Sequence, residues 1–292
     1  MNRIDFRDQI SGNKWKSFFL MLIVVVFIVA LGYVISRAFS PVYFSFIMII
    51  AIIFSIFYIM VGYYNSHKIA IASVGAKPAS REKHKMFFDL VEGLTLASGL
   101  PMPKLYVMPS QQINAFASGR NPKKAVICVT EGALNKLDRR ELEGVLAHEL
   151  GHVGNYDIRY MTLTAILVGM IAIISQIFLR SLFFSGDRGG DKKNAIFIII
   201  GIALAILAPI VVWLVQMSIS RKREYGADAT AVKFTRHPDG LIKALEKIKN
   251  EHAPAEKNIS KAVAPLFFAN PFKNLGSTHP PIEKRIEVLK RM

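Results

Sequence analysis

His148 and His152 stand four residues apart in the segment AHELGHVG, with Glu149 beside the first of them. Residues i and i+4 of an α-helix share a face, so the two imidazoles can each offer a nitrogen to one tetrahedral metal. Glu149 is turned away from that metal but can reach a water next to it, which is where a general base is needed. A catalytic zinc takes three protein ligands and keeps a fourth position open, so another ligand must come from elsewhere in the chain. Glu224, in the segment EYGAD, is the candidate. Asp228 follows it by four residues, faces the same way on a helix, and can orient a ligand histidine through the ring N–H. The competing reading of EYGAD is an exposed charged helix face continuing Arg221, Lys222 and Arg223. The chemistry of the metal reading is hydrolysis of an amide by an activated water.

Elements that hold these residues can be read from local pattern. Asp138 is a good N-cap, and a helix is expected from there through LEGVLAHELGHVG. Helices are also expected over residues 220–234 and 238–249, and after Pro280 and Pro281, with a loop containing Pro254 and Pro265 between the last two. Upstream, Phe87, Leu90, Val91, Leu94 and Leu96 recur at helical spacing over residues 80–98, behind Ser80 as a candidate cap. After GLPMP come three strand-like runs, KLYVM, INAFAS and AVICVT, with GRNPKK as the turn between the last two.

The chain has 292 residues, of which 52% are hydrophobic, a high share for a protein bathed only in water. Most of the excess lies in four runs, residues 17–36, 42–64, 161–184 and 195–217, each near the twenty residues that cross a bilayer as a helix. They read as two hairpins, the second turning at SGDRGGDKKN. A formal charge of +16 suggests nucleic acid or an anionic membrane face. Arg3, Arg7, Lys14 and Lys16 precede the first run and Arg221, Lys222 and Arg223 follow the last, which favours the membrane. Cation counts near the span ends put the termini and soluble segments in the cytoplasm, although the second turn, with Arg188, Lys192 and Lys193, would then be external. Cys128 is the single cysteine, in an apolar strand-like stretch, so neither a disulfide nor a thiolate metal site is expected. His67, His84, His237 and His252 have no partner at ligand spacing, and Asp157 reads as a turn residue or a support to a ligand. No GxxxxGK[ST] nucleotide motif occurs. His152 lies just before the third run and Glu224 just after the fourth, so an even number of crossings returns both to one side.

HELGH, a transmembrane hairpin, EYGAD and finally STHPPIEKRI together resemble the HtpX-type bacterial membrane proteases, relatives of the CAAX prenyl endopeptidases, over nearly the whole chain. That resemblance implies an α-helical membrane protein with a mixed α+β zincin domain of the gluzincin type on the cytoplasmic side, and about four transmembrane helices in two hairpins. Residues 1–64 would be the amino-terminal tail and first hairpin, 65–160 the first part of the protease domain, 161–217 the second hairpin, and 218–292 the second part. One Zn2+ would sit on His148, His152 and Glu224, with Glu149 as base and acid and Asp228 supporting a ligand. His279, in STHP, would supply an oxyanion hydrogen bond, with Arg285 in a lesser supporting role. Asn114, Ala115 and Phe116 would bind peptide as a strand on a sheet edge. A plain core strand with Phe116 packed inward is the other reading of that segment.

The activity so implied is that of an ATP-independent zinc metalloendopeptidase of the bacterial inner membrane. It would cut membrane proteins, misfolded ones included, in quality control and stress response. Its partners would be polypeptide substrates and the lipid bilayer, without nucleotide or nucleic acid. A specialised CAAX-type processing enzyme is the nearest rival. A non-catalytic, zinc-stabilised membrane scaffold is the rival from another class, against which stands Glu149, for which a structural site has no use.

Overall fold

The computed structural model describes residues 44–164, 221–251, 266–269 and 280–292, with scattered helical positions between 15 and 33. The third and fourth apolar runs lie outside the described residues except for residues 161–164, which are helical. His279 and Pro254 also lie outside them.

Helix α1, Phe44–Ser73, covers the second apolar run from residue 44 onward and continues without a break through Asn65. Among the described residues one helical stretch, Met48–Ser73, is long and apolar enough to cross a membrane. Its large side chains point outward, Phe57 being 62% exposed, as lipid-facing residues do. The last turns differ: Ala70, Ile71 and nearby Val74 are buried against Met108, Phe116 and Cys128. One helix therefore belongs to both the apolar span and the folded domain.

A four-stranded sheet follows, with spatial order β1, β2, β4, β3. The strands are β1, Lys77–Pro78; β2, Lys104–Met108; β3, Ala115–Ser118; and β4, Val126–Thr130. β2 and β4 run parallel, while β3 is antiparallel to β4 and stands at the edge. All three expected strand runs are present. Side chains alternate in direction along a strand. Val126, Cys128 and Phe116 accordingly face the α1 side, and Ile127, Val129, Ala115 and Ala117 face the main core. Cys128 is buried there, and burial pushes its thiol well up, so it is an inert packing residue.

Helix α2, Lys85–Ser98, has its N-cap at His84, four residues later than Ser80 suggests. The Ser80 backbone N–H instead donates to His84 Nδ1 at 3.2 Å, which closes a separate turn before the helix. Leu96, counted with the core positions, is 85% exposed because it falls off the stripe made by Phe87, Leu90, Val91 and Leu94.

Short helix α3, Glu131–Lys136, is capped by Thr130, and α4, Arg139–Gly154, begins at Asp138 as expected. Asp138 accepts from the backbone N–H groups of Arg140 and Glu141 at 2.8 and 2.9 Å, and Glu141 accepts from the Asp138 N–H at 2.8 Å. This reciprocal capping box fixes the start, and therefore the facing, of the helix that carries HELGH. Helices α5, Arg221–Thr235, and α6, Asp239–Lys249, pack against it, and α7, Ile282–Leu289, packs on α5 and α6.

Candidate active site

α4 brings His148, Glu149 and His152 to the centre of the domain, where all three are buried. α5 crosses α4 at Gly151. A methyl in place of the Gly151 hydrogen would lie 3.2 Å from the Ala227 carbonyl oxygen and 3.2 Å from Thr230 Cβ. The glycine inside HELGH is thus the seat on which α5 rests, and the first turn of α5 consequently hangs Glu224 over the two histidines. α6 is seated similarly, since Gly144 and Gly240 leave room for backbone from the opposite helix.

His148 Nε2 and His152 Nε2 are 3.1 Å apart, His148 Nε2 is 3.7 Å from Glu224 Oε2, and His152 Nε2 is 3.5 Å from Glu224 Oε1. Ligand atoms about 2.0–2.1 Å from a tetrahedral ion lie roughly 3.3 Å from one another, so these separations suit one ion in the middle. The three donors form a cluster able to hold a metal, and the two-imidazole, one-carboxylate set is a fitting one for an open catalytic site. Glu149 supplies a further observation: its Oε1 is buried and has no hydrogen-bond partner. An orphaned buried carboxylate oxygen is costly unless it faces a ligand or reactant.

Each histidine has its own carboxylate behind it. His148 Nδ1 is 2.8 Å from Asp228 Oδ1, and His152 Nδ1 is 3.0 Å from Asp157 Oδ2. In neutral imidazole this arrangement puts the proton on Nδ1 and leaves the Nε2 lone pair pointing into the cluster. Asp228 is in turn clamped by Arg285, with Nε at 3.0 Å from Oδ2 and Nη2 at 2.7 Å from Oδ1. Burial would raise the Asp228 carboxyl, but Arg285 and His148 outweigh it and hold Asp228 well below the usual carboxylate range. Arg285 itself lies over the ring of Phe268, 4.7 Å from its centroid, and Phe268 meets the His148 ring edge-on at 4.9 Å.

Burial lowers His148 to about 4, with the positive Arg285 adding to the effect against the pull of Asp228. For His152 burial also acts downward, but the hydrogen bond to Asp157 and the charge of Glu224 overcome it and lift the group to about 9. In the metal-free cluster His152 carries a proton that a bound cation would displace. Glu149 is raised to about 7, first by burial and then by the neighbouring Glu224, while His152 and the Ala117 backbone N–H pull the other way. A carboxylate poised near neutrality can take a proton and return it.

Asn114, Ala115 and Phe116 do lie at the outer, β3 edge of the sheet, but they do not present a free edge. The Phe268 N–H donates to the Ala115 carbonyl at 2.8 Å, and Phe267 forms an antiparallel bridge with Phe116. The Asn114 carboxamide is taken at both ends by Ala269, Nδ2 donating to the carbonyl at 2.8 Å and Oδ1 accepting from the N–H at 3.1 Å. Phe116 is packed inward against Phe267, ring centroids 5.2 Å apart, on the sheet face away from α4. The inward alternative is the observed one, because residues 266–269 already occupy the edge at these positions. Sequence reasoning gave no role to Phe268 or Gly151. The glycine stands inside the motif itself, whereas the pairing of 266–269 with β3 leaves no local mark.

The description "Peptidase family M48" fits residues 83–292 of the chain. A protein described as "Protease HtpX homolog" from Caldanaerobacter subterraneus subsp. tengcongensis is 43% identical, covering 97% of this chain and 96% of that one. Its counterpart from Dictyoglomus thermophilum is 40% identical over 100% of this chain and 96% of its own. Among solved structures, the crystal structure of S. mikatae Ste24p has 21% identity and a TM-score of 0.49, covering 97% of this chain and 66% of that one. The family expected from HELGH, EYGAD and STHPPIEKRI is the one found, and the chain belongs to peptidase family M48, the family of a membrane metalloprotease.

Proposed function

We propose that the protein is a zinc-dependent, ATP-independent endopeptidase of the bacterial inner membrane that cleaves membrane proteins, misfolded ones among them, at the cytoplasmic face, in quality control and stress response. The observation that carries this reading is the convergence of His148, His152 and Glu224 at 3.1–3.7 Å beside the orphaned Glu149 Oε1. The exposed apolar length of α1, continuous with the domain, supports action at a membrane surface.

His148, His152 and Glu224 would hold the zinc, which when bound supplies Lewis acidity for the scissile carbonyl and the attacking water. Glu149 accepts the proton of that water at its unpaired oxygen and delivers it to the departing amine. Asp228 and Asp157 keep both imidazoles in the Nδ1–H form, and Arg285 holds Asp228 in place. Arg285 is thus a positioning residue, acting through Asp228 and lying 3.2 Å from His148 Nδ1 and 3.6 Å from Glu224 Oε2. His279 is proposed as the oxyanion donor. Peptide addition to β3 at Asn114, Ala115 and Phe116 would require residues 266–269 to leave the edge.

Replacing Glu149 by Gln keeps the size of the side chain and removes the base. In detergent-solubilised protein, Glu149→Gln is expected to lower casein cleavage by about 10²–10⁴-fold while one zinc per chain remains bound. Undiminished cleavage would rule Glu149 out as the base, and loss of the metal would place it among the ligands.

A further inference from the structure

A cluster of cations lies away from the catalytic centre, where α1 passes from its apolar length into the domain. Arg120 stacks over Tyr64, 4.5 Å from Cζ to the ring centroid, and reaches Tyr63 at 5.8 Å. Arg159 approaches the same Tyr63 ring at 5.7 Å and Tyr156 at 5.6 Å, and its Nε donates to the Arg120 carbonyl at 2.9 Å. Two guanidinium groups thus share one tyrosine. Lys68, Lys104, Lys124 and Arg120 all lie close enough to His67 to act on it electrostatically. Among the described residues, no carboxylate lies within ion-pair distance of Arg120, Arg159, Lys68, Lys104 or Lys124.

Like charges assembled without a counter-charge are unfavourable unless an anion or water offsets them. Several cations elsewhere in the fold do have a carboxylate partner: Arg81 with Glu92, Lys136 with Glu251, Lys247 with Glu141 and Arg285 with Asp228. The stacking fixes both guanidinium groups in position, which lowers the entropy lost when they close on a ligand. The polar atoms His67 Nδ1 and Ser66 Oγ are buried beside this surface and have no hydrogen-bond partner. Tyr156 is held at φ 59°, a left-handed conformation that is uncommon for an aromatic residue and sets its ring under Arg159.

Position identifies the anion. From Phe44, the start of α1, to Tyr63 and Tyr64 the helix rises about 30 Å, the thickness of a bilayer's hydrocarbon core. The two tyrosines therefore sit at headgroup depth, where such rings are enriched. Guanidinium groups recognise phosphate oxygens through paired N–H donors. The surrounding lysines repel a quaternary ammonium, and among the described residues no carboxylate pairs with these cations to receive one. We propose that Arg120 and Arg159, with Lys68 and Lys124, form a binding site for the phosphate of an anionic glycerophospholipid, distinct from the metal centre and clamping the domain to the bilayer surface.

The test uses the full chain, delipidated in detergent micelles and titrated with dioleoylphosphatidylglycerol or dioleoylphosphatidylcholine, with lipid retention read by native mass spectrometry. Wild-type protein should retain phosphatidylglycerol about tenfold better than phosphatidylcholine. The double change R120Q/R159Q should weaken phosphatidylglycerol about ten- to thirtyfold, while K83Q/K85Q, an equal loss of charge elsewhere, should leave it within about twofold. Equal retention of the two lipids, an undiminished R120Q/R159Q, or an equal loss in K83Q/K85Q would overturn the site. Displacement of the lipid by millimolar inorganic phosphate would also overturn it, in favour of a site for free anions. If R120Q/R159Q does not fold, K68Q/K124Q carries the same expectation from exposed positions.

Discussion

Gly151 and Ala227 touch backbone to backbone: the Gly151 position leaves only 3.2 Å between an added methyl and the Ala227 carbonyl oxygen. The separation of α4 and α5 at this point decides whether Glu224 reaches His148 and His152. Gly151→Val should therefore act twice. Overpacking is expected to cost about 1–3 kcal/mol of stability, seen as a lower Tm. The widened helix pair should also bind zinc more weakly by equilibrium dialysis, and unchanged zinc affinity would mean that α5 is positioned by something other than this contact.

Asp157 and Asp228 each hold one imidazole by its Nδ1, at 3.0 and 2.8 Å. Asp157→Asn and Asp228→Asn should each lower zinc affinity by about 10–100-fold, measured by competition with a chelator. Asp228→Asn should be the more damaging to folding as well, because it leaves the buried Arg285 charge without its bidentate partner. Equal zinc affinity in wild-type protein and Asp157→Asn would remove Asp157 from the site.

The raised Glu149 carboxyl has two pH consequences. As a base it must be ionised, so kcat/KM is expected to climb as pH rises through the Glu149 titration, which a bound cation moves below the metal-free value of about 7. For stability the sign is opposite. Between the ordinary glutamate value and about 7 the folded, metal-free protein holds a proton that the unfolded chain has lost, so stability falls as pH rises across that window. Metal-free Glu149→Gln should gain on wild type at pH 8 by on the order of 3 kcal/mol and gain little at pH 4. Parallel stability profiles for the two proteins would show that the Glu149 carboxyl is not raised in the folded protein.

Asn114 spends both ends of its carboxamide on Ala269. Asn114→Ala should loosen residues 266–269 from β3 and cost about 1–3 kcal/mol, with little change in KM for short peptides. A selective rise in KM at unchanged Tm would instead return Asn114 to substrate contact.

How much of this was legible in the chain depends on how far apart the partners lie. KLYVM, AVICVT and the Asp138 cap are local patterns, and each became the expected element because its stabilising contacts lie within a few residues or on the adjacent strand. The meeting of His148 with Glu224 spans 76 positions, and it could be read because metal chemistry demands a third ligand. No comparable demand announces that Phe268 donates to Ala115 or that Ala269 grips Asn114. Such pairings depend on shape after folding, and the Phe-Phe pair at 267 and 268 reads in sequence as any apolar dipeptide. Helix α2 started late for a related reason: Ser80 is a good cap by type, yet its N–H finds His84 before a helix can form.

Helix α1 contains 30 residues and rises about 45 Å, against roughly 30 Å of hydrocarbon. Its far end is anchored by Ala70, Ile71 and Val74 in the packing that holds β4 and residues 266–267. A rod embedded at both ends transmits tilt. If the bilayer thins or thickens, the angle of α1 changes to keep its apolar length covered, and the sheet beside the catalytic helix has to move with it. Membrane thickness then becomes a mechanical input to the protease, delivered through a single unbroken helix.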